Sequence, residues 1–341
     1  MKPAIQLLSL VSLLLFAMPA PANEFFAMDN ALGDVKTLTG KAALLKELGY
    51  DGVTWRPGNT AEAMAEMSAK GIRMHALMIN LAVSKDELPA ELPLADIQAL
   101  KGSGAVIWVQ LIRKGGDDAD AVRELRSLNA VAKPLGLRVA IYPHVNNHAE
   151  SLEDALRVAE LVADDNVGVS LTLCHQLKVM GMQDLEPLLQ NALPKLFLVL
   201  VSGADSGDTR AMDWDRLIQP LGQGSYDAAA LLGTLRKLGY KGPVGVIGYG
   251  LKQPAREHLR QSIQFLRDVS VLKRMTHRHF VEDTASENLP PRKFWHEPKR
   301  EPKRPVKGYL GLQNHDPGDV IWFKEVSVRP LPDSPKPTQT D

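Results

Sequence analysis

The sequence predicts a (β/α)8 TIM barrel, an eight-stranded parallel sheet that closes on itself inside a layer of helices. From Asn23 to Ser270 the chain repeats one unit: a short apolar strand, a polar turn, an amphipathic helix and a glycine. Eight such units in about 250 residues match the usual size of this barrel. The strands are rich in Val, Ile and Leu without strict alternation, as is typical of parallel strands that are covered on both faces.

Strands and helices alternate along the whole of this region. The predicted strands are Phe25–Asp29, Gly52–Trp55, Arg73–Ile79, Ala105–Leu111, Arg138–His144, Gly168–His175, Leu196–Ser202 and Val244–Tyr249. Apolar spacing near 3.6 residues predicts helices over Lys41–Leu48, Ala61–Ala69, Ala119–Ala132, Leu152–Val162, Leu185–Ala192 and Ala228–Leu238. Glycine closes several of these helices, because it adopts the left-handed conformation easily. An open doubly wound sheet fits less well, because it needs fewer strands at this length and a glycine-rich phosphate loop.

Residues 1–22 have the pattern of a cleavable signal peptide. Lys2 is followed by an apolar run from Leu7 to Met18 and by the small residues Ala20 and Ala22. The alternative is a membrane anchor, but the run is shorter than the ~20 residues that span a bilayer. We therefore expect a secreted or periplasmic protein without a transmembrane segment.

The composition excludes several classes of function. The 40 basic and 40 acidic residues balance, which gives no reason to expect nucleic acid as a partner. No glycine-rich nucleotide motif and no CxxC metal motif is present. The single cysteine, Cys174, excludes an intramolecular disulfide.

The composition changes after Ser270, so a C-terminal extension is predicted. Residues 271–307 are basic and proline-rich and predict a linker, with a basic binding arm as the alternative. Alternating apolar and polar residues on both sides of a turn predict a β-hairpin over 308–330, followed by a disordered tail over 331–341. The hairpin resembles the last strands of the concanavalin-like 3-keto-disaccharide hydrolase domain. That likeness covers only about the last 40 residues, so no hydrolase chemistry is carried over from it.

Polar, aromatic and imidazole side chains occur where the predicted strands end. In a β/α barrel these ends form one rim that carries the chemistry. Such groups suit a small carbohydrate, whose C–H faces stack on aromatic rings while its hydroxyls form hydrogen bonds. The predicted catalytic residues are His144 and His175, and the predicted substrate-binding residues are Asp29, Trp55, Tyr142, Asp205 and Tyr249.

Structural roles are the alternative for several of these residues. Asp29 and Asp205 are also suited to capping adjacent loops, and each histidine also fits a buried structural position. Cys174 and His175 suggest a thiolate–imidazole pair, but neighbours on a strand point to opposite faces, which argues against it.

Four segments resemble the sugar phosphate isomerase/epimerase, or xylose-isomerase-like, superfamily. They are Gly136–His144, Val167–His175, Tyr240–Val246 and Pro220–Gly224, and the similarity extends over Phe25–Leu266. The resemblance implies one divalent metal, held by a Glu on strand 5, an Asp on strand 6, a His on strand 7 and a Glu on strand 8.

This sequence departs from the family at all four metal positions. They fall at Tyr142, Thr172 and near Leu200 and Ile247. A hard divalent cation requires anionic oxygen ligands, so we predict that the metal site is lost and that no cofactor is bound. A weak site formed by His144, His175 and Asp205 stays open as an alternative.

Three functional hypotheses follow. The first is an exported isomerase-like barrel that binds a carbohydrate without the metal of the family. The second is an active, metal-independent sugar isomerase, epimerase or lyase that uses His144 or His175 as the base. The third is a non-catalytic interaction module that uses the C-terminal extension.

Overall fold

The eight strands form one closed parallel barrel, which confirms the predicted fold class. The computed structural model describes residues 23–85 and 91–284, with the side chains of the last helix described up to Val269. Each strand pairs with the next, and β8 pairs with β1. The strands are β1 (Phe25–Ala27), β2 (Gly52–Trp55), β3 (Arg73–Val83), β4 (Val106–Arg113), β5 (Arg138–Ile141), β6 (Val167–Thr172), β7 (Leu196–Val201) and β8 (Val244–Val246).

The helices between the strands cover the outer face of the barrel. They are α1 (Leu38–Leu48), α2 (Thr60–Ala69), α3 (Leu94–Ala99), α4 (Asp118–Ala132), α5 (Leu152–Val162), α6 (Leu173–Met180), α7 (Glu186–Ala192), α8 (Trp214–Leu217), α9 (Ala228–Lys237) and α10 (Ala255–Thr284). The predicted and observed spans of α5 coincide, because Ser151 caps this helix in a capping box with Asp154. Gly49 ends α1 in the left-handed conformation, with φ of 79°.

Strand β6 ends earlier than the sequence predicts. It stops at Thr172, and α6 begins at once at Leu173, so Cys174 and His175 lie on a helix and not on a strand. The stretch from Val167 to Cys174 contains no proline, and its only glycine lies near its start, so neither of these breaking residues marks the change.

Strands β3 and β4 extend beyond the rest of the rim. Their pairing with β2 and β5 stops at Leu77 and Val109, but the two continue to pair with each other over Asn80–Val83 and Gln110–Arg113. We call these two segments the β3–β4 ribbon. It forms a raised wall on one side of the barrel mouth.

Some predicted segments fall outside the described residues. These are the signal peptide (1–22), the β-hairpin (308–330), the tail (331–341) and most of the linker (271–307). Helix α10 continues past Ser270, the predicted end of the barrel. The compact unit that contains the barrel ends at Asp283. Within the described ranges, no helix is both long and apolar enough to cross a bilayer.

Candidate functional site

A cavity of about 380 Å³ opens at the carboxyl ends of the strands, and we call it the inner cavity. Its volume lies within the usual range of small-molecule sites. Amides, imidazoles, a guanidinium group, aromatic rings and aliphatic side chains share its wall. The lining residues are Met28, Asn30, Arg56, Met78, Asn80, Gln110, Tyr142, His144, Val145, Asn146, His175, Trp214, Ile218, Ile247 and Tyr249.

A row of five aromatic rings leads from the barrel interior into this cavity. Trp108 stacks on Tyr142 with ring centroids 4.1 Å apart, and Tyr142 meets His144 and His175 edge-on at 5.8 Å each. The two imidazole centroids lie 4.0 Å apart, and His175 also contacts the ring of Trp214 at 5.2 Å. Each ring limits the orientation of the next, so the row holds both imidazoles in place at the cavity wall.

Ser170 fixes the inner end of the row. The Trp108 indole donates a hydrogen bond to Ser170 Oγ at 2.7 Å, and Ser170 Oγ donates to Ile141 O at 3.1 Å. Tyr142, stacked on this indole, is only 2% exposed. Burial raises the pKa of Tyr142 well above its ordinary value, so its phenol stays protonated and can donate a hydrogen bond.

The loop after β5 orients His144. Its backbone N–H donates to Ala149 O, and its carbonyl accepts from Asn147 N, both at 3.0 Å. His144 Nδ1 lies 2.8 Å from Val145 O. A carbonyl can only accept, so Nδ1 carries the proton of the neutral ring and Nε2 is left as an acceptor. Asn146 in the same loop has φ of 66°, a left-handed conformation that asparagine tolerates.

His175 lies in the first turn of α6 and is 4% exposed. Its Nδ1 and the nearby Thr172 Oγ1 are buried polar atoms with no hydrogen-bond partner in the described part of the chain. Burial, and then the neighbouring charge of His144, hold the pKa of His175 well below its usual value. Burial also lowers the pKa of His144. Both rings are therefore neutral at pH 7.

A thiolate–imidazole pair is ruled out, although not for the reason that the sequence gives. The strand argument is wrong, because Cys174 and His175 both lie on α6. Burial raises the pKa of the Cys174 thiol to about 12, so the group stays protonated at neutral pH.

Asp29 lies behind the cavity wall and contacts Arg56. Arg56 Nε is 2.9 Å from Asp29 Oδ2, whereas Asp29 Oδ1 is buried without a hydrogen-bond partner among the described residues. Burial raises the pKa of Asp29, against the lowering effect of Arg56 and Lys41. Arg56 lines the cavity and Asp29 does not, so the carboxylate positions the guanidinium group.

Five of the seven predicted site residues are brought to this region. His144, His175, Tyr142 and Tyr249 line the inner cavity, and Asp29 reaches it through Arg56. Tyr249 is 60% exposed at the outer edge.

Trp55 and Asp205 lie away from the cavity lining. Trp55 Nε1 donates to Asn59 Oδ1 at 2.9 Å, and Lys41 Nζ lies 5.1 Å from the Trp55 ring, on the helical side of β2. Asp205 Oδ2 is 2.9 Å from Arg216 Nε, and Asp205 N donates to Arg216 O. Asp205 therefore has the structural role of stabilising its own loop.

Three lining residues, Arg56, Gln110 and Trp214, are not among the predicted site residues, although Arg56 lies at a predicted strand end. For Arg56 a signal existed: neighbours on a strand face opposite sides, so Trp55 and Arg56 cannot both reach the cavity. Trp214 lies on the short helix α8, which no periodicity predicts.

The side chains at the four positions where the resemblance predicts metal ligands do not fit a hard divalent cation. Tyr142 and Thr172 offer a phenol and a hydroxyl, and Leu200 and Ile247 offer no donor. Within the described residues, no group of three or more His, Cys, Asp or Glu side chains is arranged to hold a metal ion. Asp205 is paired with Arg216, so it does not complete a site with the two histidines.

Comparison with known proteins relates the chain to one barrel family. The family described as "Xylose isomerase-like TIM barrel" matches residues 42–269, which is more than half of the chain. No curated protein matches the sequence.

Several solved structures share the fold. The IolI protein, with a binding zinc atom, is 19% identical with a TM-score of 0.57, covering 72% of this chain and 97% of its own. L-Ribulose 3-epimerase is 13% identical with a TM-score of 0.60, covering 79% and 100%. The 3-keto-D-glucoside 4-epimerase of E. coli, in its apo form, is 20% identical with a TM-score of 0.57, covering 72% and 100%. At these identities the likeness concerns the fold alone.

Proposed function

The chain belongs to the xylose isomerase-like TIM barrel family, and on this premise we propose that it binds a carbohydrate in the inner cavity without a divalent metal. The fold is related to that of sugar epimerases and isomerases. The observation that carries the proposal is the wall of this cavity, where neutral hydrogen-bonding groups stand beside aromatic rings. A polyhydroxylated ring needs both kinds of contact.

The polar groups of the wall are available to a ligand. His144 Nε2 is an acceptor, Tyr142 a donor and Arg56 a fixed cation. Asn30 uses its Oδ1 to accept from Gly248 N at 3.1 Å, which leaves its amide N–H groups as donors. Together they match the alternating donors and acceptors of sugar hydroxyls.

The absence of carboxylates from the cavity lining supports a metal-independent site. Asp29, which contacts Arg56 of the cavity wall, is paired with that guanidinium group. The described lining thus offers nitrogen and neutral oxygen donors, which hard cations bind poorly.

Metal-independent isomerisation or epimerisation is the second candidate, and the state of His144 favours it. A neutral imidazole with a free Nε2 can remove a proton from the carbon beside a sugar carbonyl. The electron pair of the broken C–H bond forms a C=C bond while the carbonyl π pair moves to the oxygen, and Tyr142 or Arg56 can donate a hydrogen bond to the resulting enolate. For isomerisation, the proton returns to the former carbonyl carbon while the hydroxyl proton on the original carbon passes to the enolate oxygen. For epimerisation, a proton from solvent reaches the opposite face of the original carbon, and His144 releases its proton to solvent.

We also propose that the protein is exported, because residues 1–22 have the pattern of a cleavable signal peptide. Expression of the full chain in a Gram-negative host should yield a mature protein in the periplasmic fraction that begins near Asn23. Recovery of the uncleaved chain in the cytoplasm would contradict export.

Titration calorimetry with a panel of aldoses, ketoses and disaccharides tests the binding function. We expect saturable binding of at least one sugar to protein that has been dialysed against a chelator. Elemental analysis of the untreated protein should find Mn, Co, Mg and Zn below stoichiometric amounts. A stoichiometric metal whose removal abolishes binding contradicts the metal-free site, and a panel without any binding contradicts the carbohydrate function.

Turnover of the sugars that bind separates the two candidates. Solvent deuterium entering the bound sugar, and lost in His144→Gln, supports isomerisation. A bound sugar that exchanges no carbon-bound proton supports a binding protein.

A further inference from the structure

A second cavity of about 440 Å³ adjoins the inner one, and we call it the outer cavity. Arg56, Met78 and Asn80 line both, so these three residues form a wall that the two cavities share. The remaining wall of the outer cavity consists of Pro57, Ile79, Glu91, Leu92 and Pro93.

The two sides of the outer cavity are fixed to each other by Asp96. Its Oδ1 accepts hydrogen bonds from Gly58 N at 2.9 Å, Thr60 N at 3.2 Å and Thr60 Oγ1 at 2.6 Å. Burial alone would raise the pKa of Asp96, but these hydrogen bonds outweigh it and lower the pKa, so the carboxylate is ionised at neutral pH. We call these three hydrogen bonds the Asp96 clamp. The clamp holds the start of α3 against the β2–α2 loop and so preorganises the space between them.

The third side is the beginning of the β3–β4 ribbon. Asn80 lies where β3 leaves the barrel and pairs in register with Gln110, which lines the inner cavity. Because these strands continue past the rim, they supply a wall that a strand ending at the rim could not supply.

The outer cavity combines apolar surfaces with hydrogen-bonding groups, but its described lining contains no aromatic ring and, unlike the inner cavity, includes a carboxylate. Pro57, Leu92 and Pro93 offer apolar surfaces for C–H groups, and Asn80 and Glu91 offer an amide and a carboxylate for hydroxyls. Arg56 stands between the two spaces and can contact a ligand in both.

From this arrangement we infer that the outer cavity binds a second sugar unit, so that the ligand is a disaccharide or another glycoside and not a free monosaccharide. The inference rests on the proposed carbohydrate function and specifies its substrate class. One ring occupies the inner cavity beside the histidine pair, and the glycosidic bond passes Arg56 and Asn80.

The experiment compares monosaccharides with the disaccharides that contain them. Calorimetry is carried out with glucose, galactose and fructose and with maltose, cellobiose, lactose, sucrose and trehalose. We expect the best disaccharide to bind about tenfold more tightly than its constituent monosaccharides, which corresponds to about 1.4 kcal/mol of additional binding free energy from the contacts of the second ring.

Glu91→Trp then fills the outer cavity from an exposed position, and Gln98→Trp is the control on the exposed face of α3, where the residue lines neither cavity. Glu91→Trp should weaken disaccharide binding by about tenfold and leave monosaccharide affinity within about twofold. Gln98→Trp should change neither.

The outcomes distinguish this inference from the function on which it rests. Equal affinity for both sugar classes, unchanged in Glu91→Trp, refutes the outer subsite while the carbohydrate function stands. A protein that binds neither class refutes both. Loss of monosaccharide and disaccharide binding alike in Glu91→Trp, with a native circular dichroism spectrum, also refutes a separate outer subsite.

Discussion

The imidazole rings of His144 and His175 lie with their centroids 4.0 Å apart on the wall of the inner cavity. Two positive charges at this separation would repel each other in a partly buried site, so the pair holds at most one proton at moderately acidic pH. Burial already lowers the pKa of each ring. The pair therefore offers neutral nitrogens to a ligand across the physiological range.

Carbohydrate affinity should depend on pH in a defined direction. The pKa of His144 lies below the ordinary 6.5 or so, so affinity should stay constant from about pH 8 to 6.5. At lower pH it should fall, because protonation converts an acceptor into a donor. Calorimetry at a series of pH values measures this, and His144→Gln should flatten the acidic limb. An affinity that increases on acidification would contradict the proposed role of the neutral ring.

Removal of the His175 ring should weaken binding. His175→Ala deletes a wall of the inner cavity and the partner of both Tyr142 and Trp214, so we expect a loss of about tenfold or more in sugar affinity. Met180→Ala is the control on the same helix, since Met180 is exposed and lines neither cavity. Equal losses in the two variants would argue against a specific role of His175.

Ser170→Ala should destabilise the barrel. The change leaves the buried Trp108 indole N–H without its acceptor, which costs about 1–3 kcal/mol of the free energy of unfolding. Urea unfolding monitored by fluorescence measures the effect. Ser68→Ala, at an exposed position on α2, is the control and should stay within about 0.5 kcal/mol of the unchanged protein. A Ser170→Ala variant as stable as this control would contradict the stabilising role of the Trp108–Ser170 hydrogen bond.

The stability of the fold should fall on acidification, in part through His75. Burial lowers the pKa of His75 to about 4, although Glu24 opposes this, and the unfolded chain titrates near 6.5. Between these values the unfolded state binds more protons, so the free energy of unfolding decreases as pH falls. At pH 5 this group accounts for a loss of about 2 kcal/mol relative to pH 7. Urea unfolding at both values should show a smaller difference in His75→Phe than in the unchanged protein.

Asp96→Ala tests the clamp of the outer cavity. Three hydrogen bonds are lost, so disaccharide affinity should fall about tenfold while monosaccharide affinity is retained. Asp208→Ala, far along the chain and lining neither cavity, serves as the control. Retention of disaccharide affinity in Asp96→Ala would show that the clamp has no part in binding.

The sequence was sufficient for the barrel because its signals are local and repeated. Apolar runs and closing glycines such as Gly49 mark where each strand begins, and these starts agree with the structure within one residue. The strand ends were harder to place. At β6 a largely apolar stretch without proline passes from strand into helix, so periodicity alone assigned His175 to the strand.

The candidate site was predictable only in part, because side-chain direction depends on neighbours that are distant in the sequence. The two histidines follow adjacent strands and meet at one point of the rim. Trp55 does not line the cavity as predicted, because Arg56, one position later, occupies the side that faces it. Asp205 does not line the cavity either, because its carboxylate pairs with Arg216. The sequence does not reveal this pair, since the two residues lie eleven positions apart across an irregular loop.

The β3–β4 ribbon has a mechanical consequence for the histidine loop. Leu111 O accepts a hydrogen bond from His148 N at 2.7 Å, and Arg113 Nη2 donates one to Asn147 O at 2.8 Å. Two hydrogen bonds therefore hold the ribbon against the segment that carries His144. The same ribbon begins at Asn80, between the two cavities. These hydrogen bonds connect the strand that begins at Asn80 with the loop that holds His144, so a shift of either one would require the bonds to the other to stretch or break.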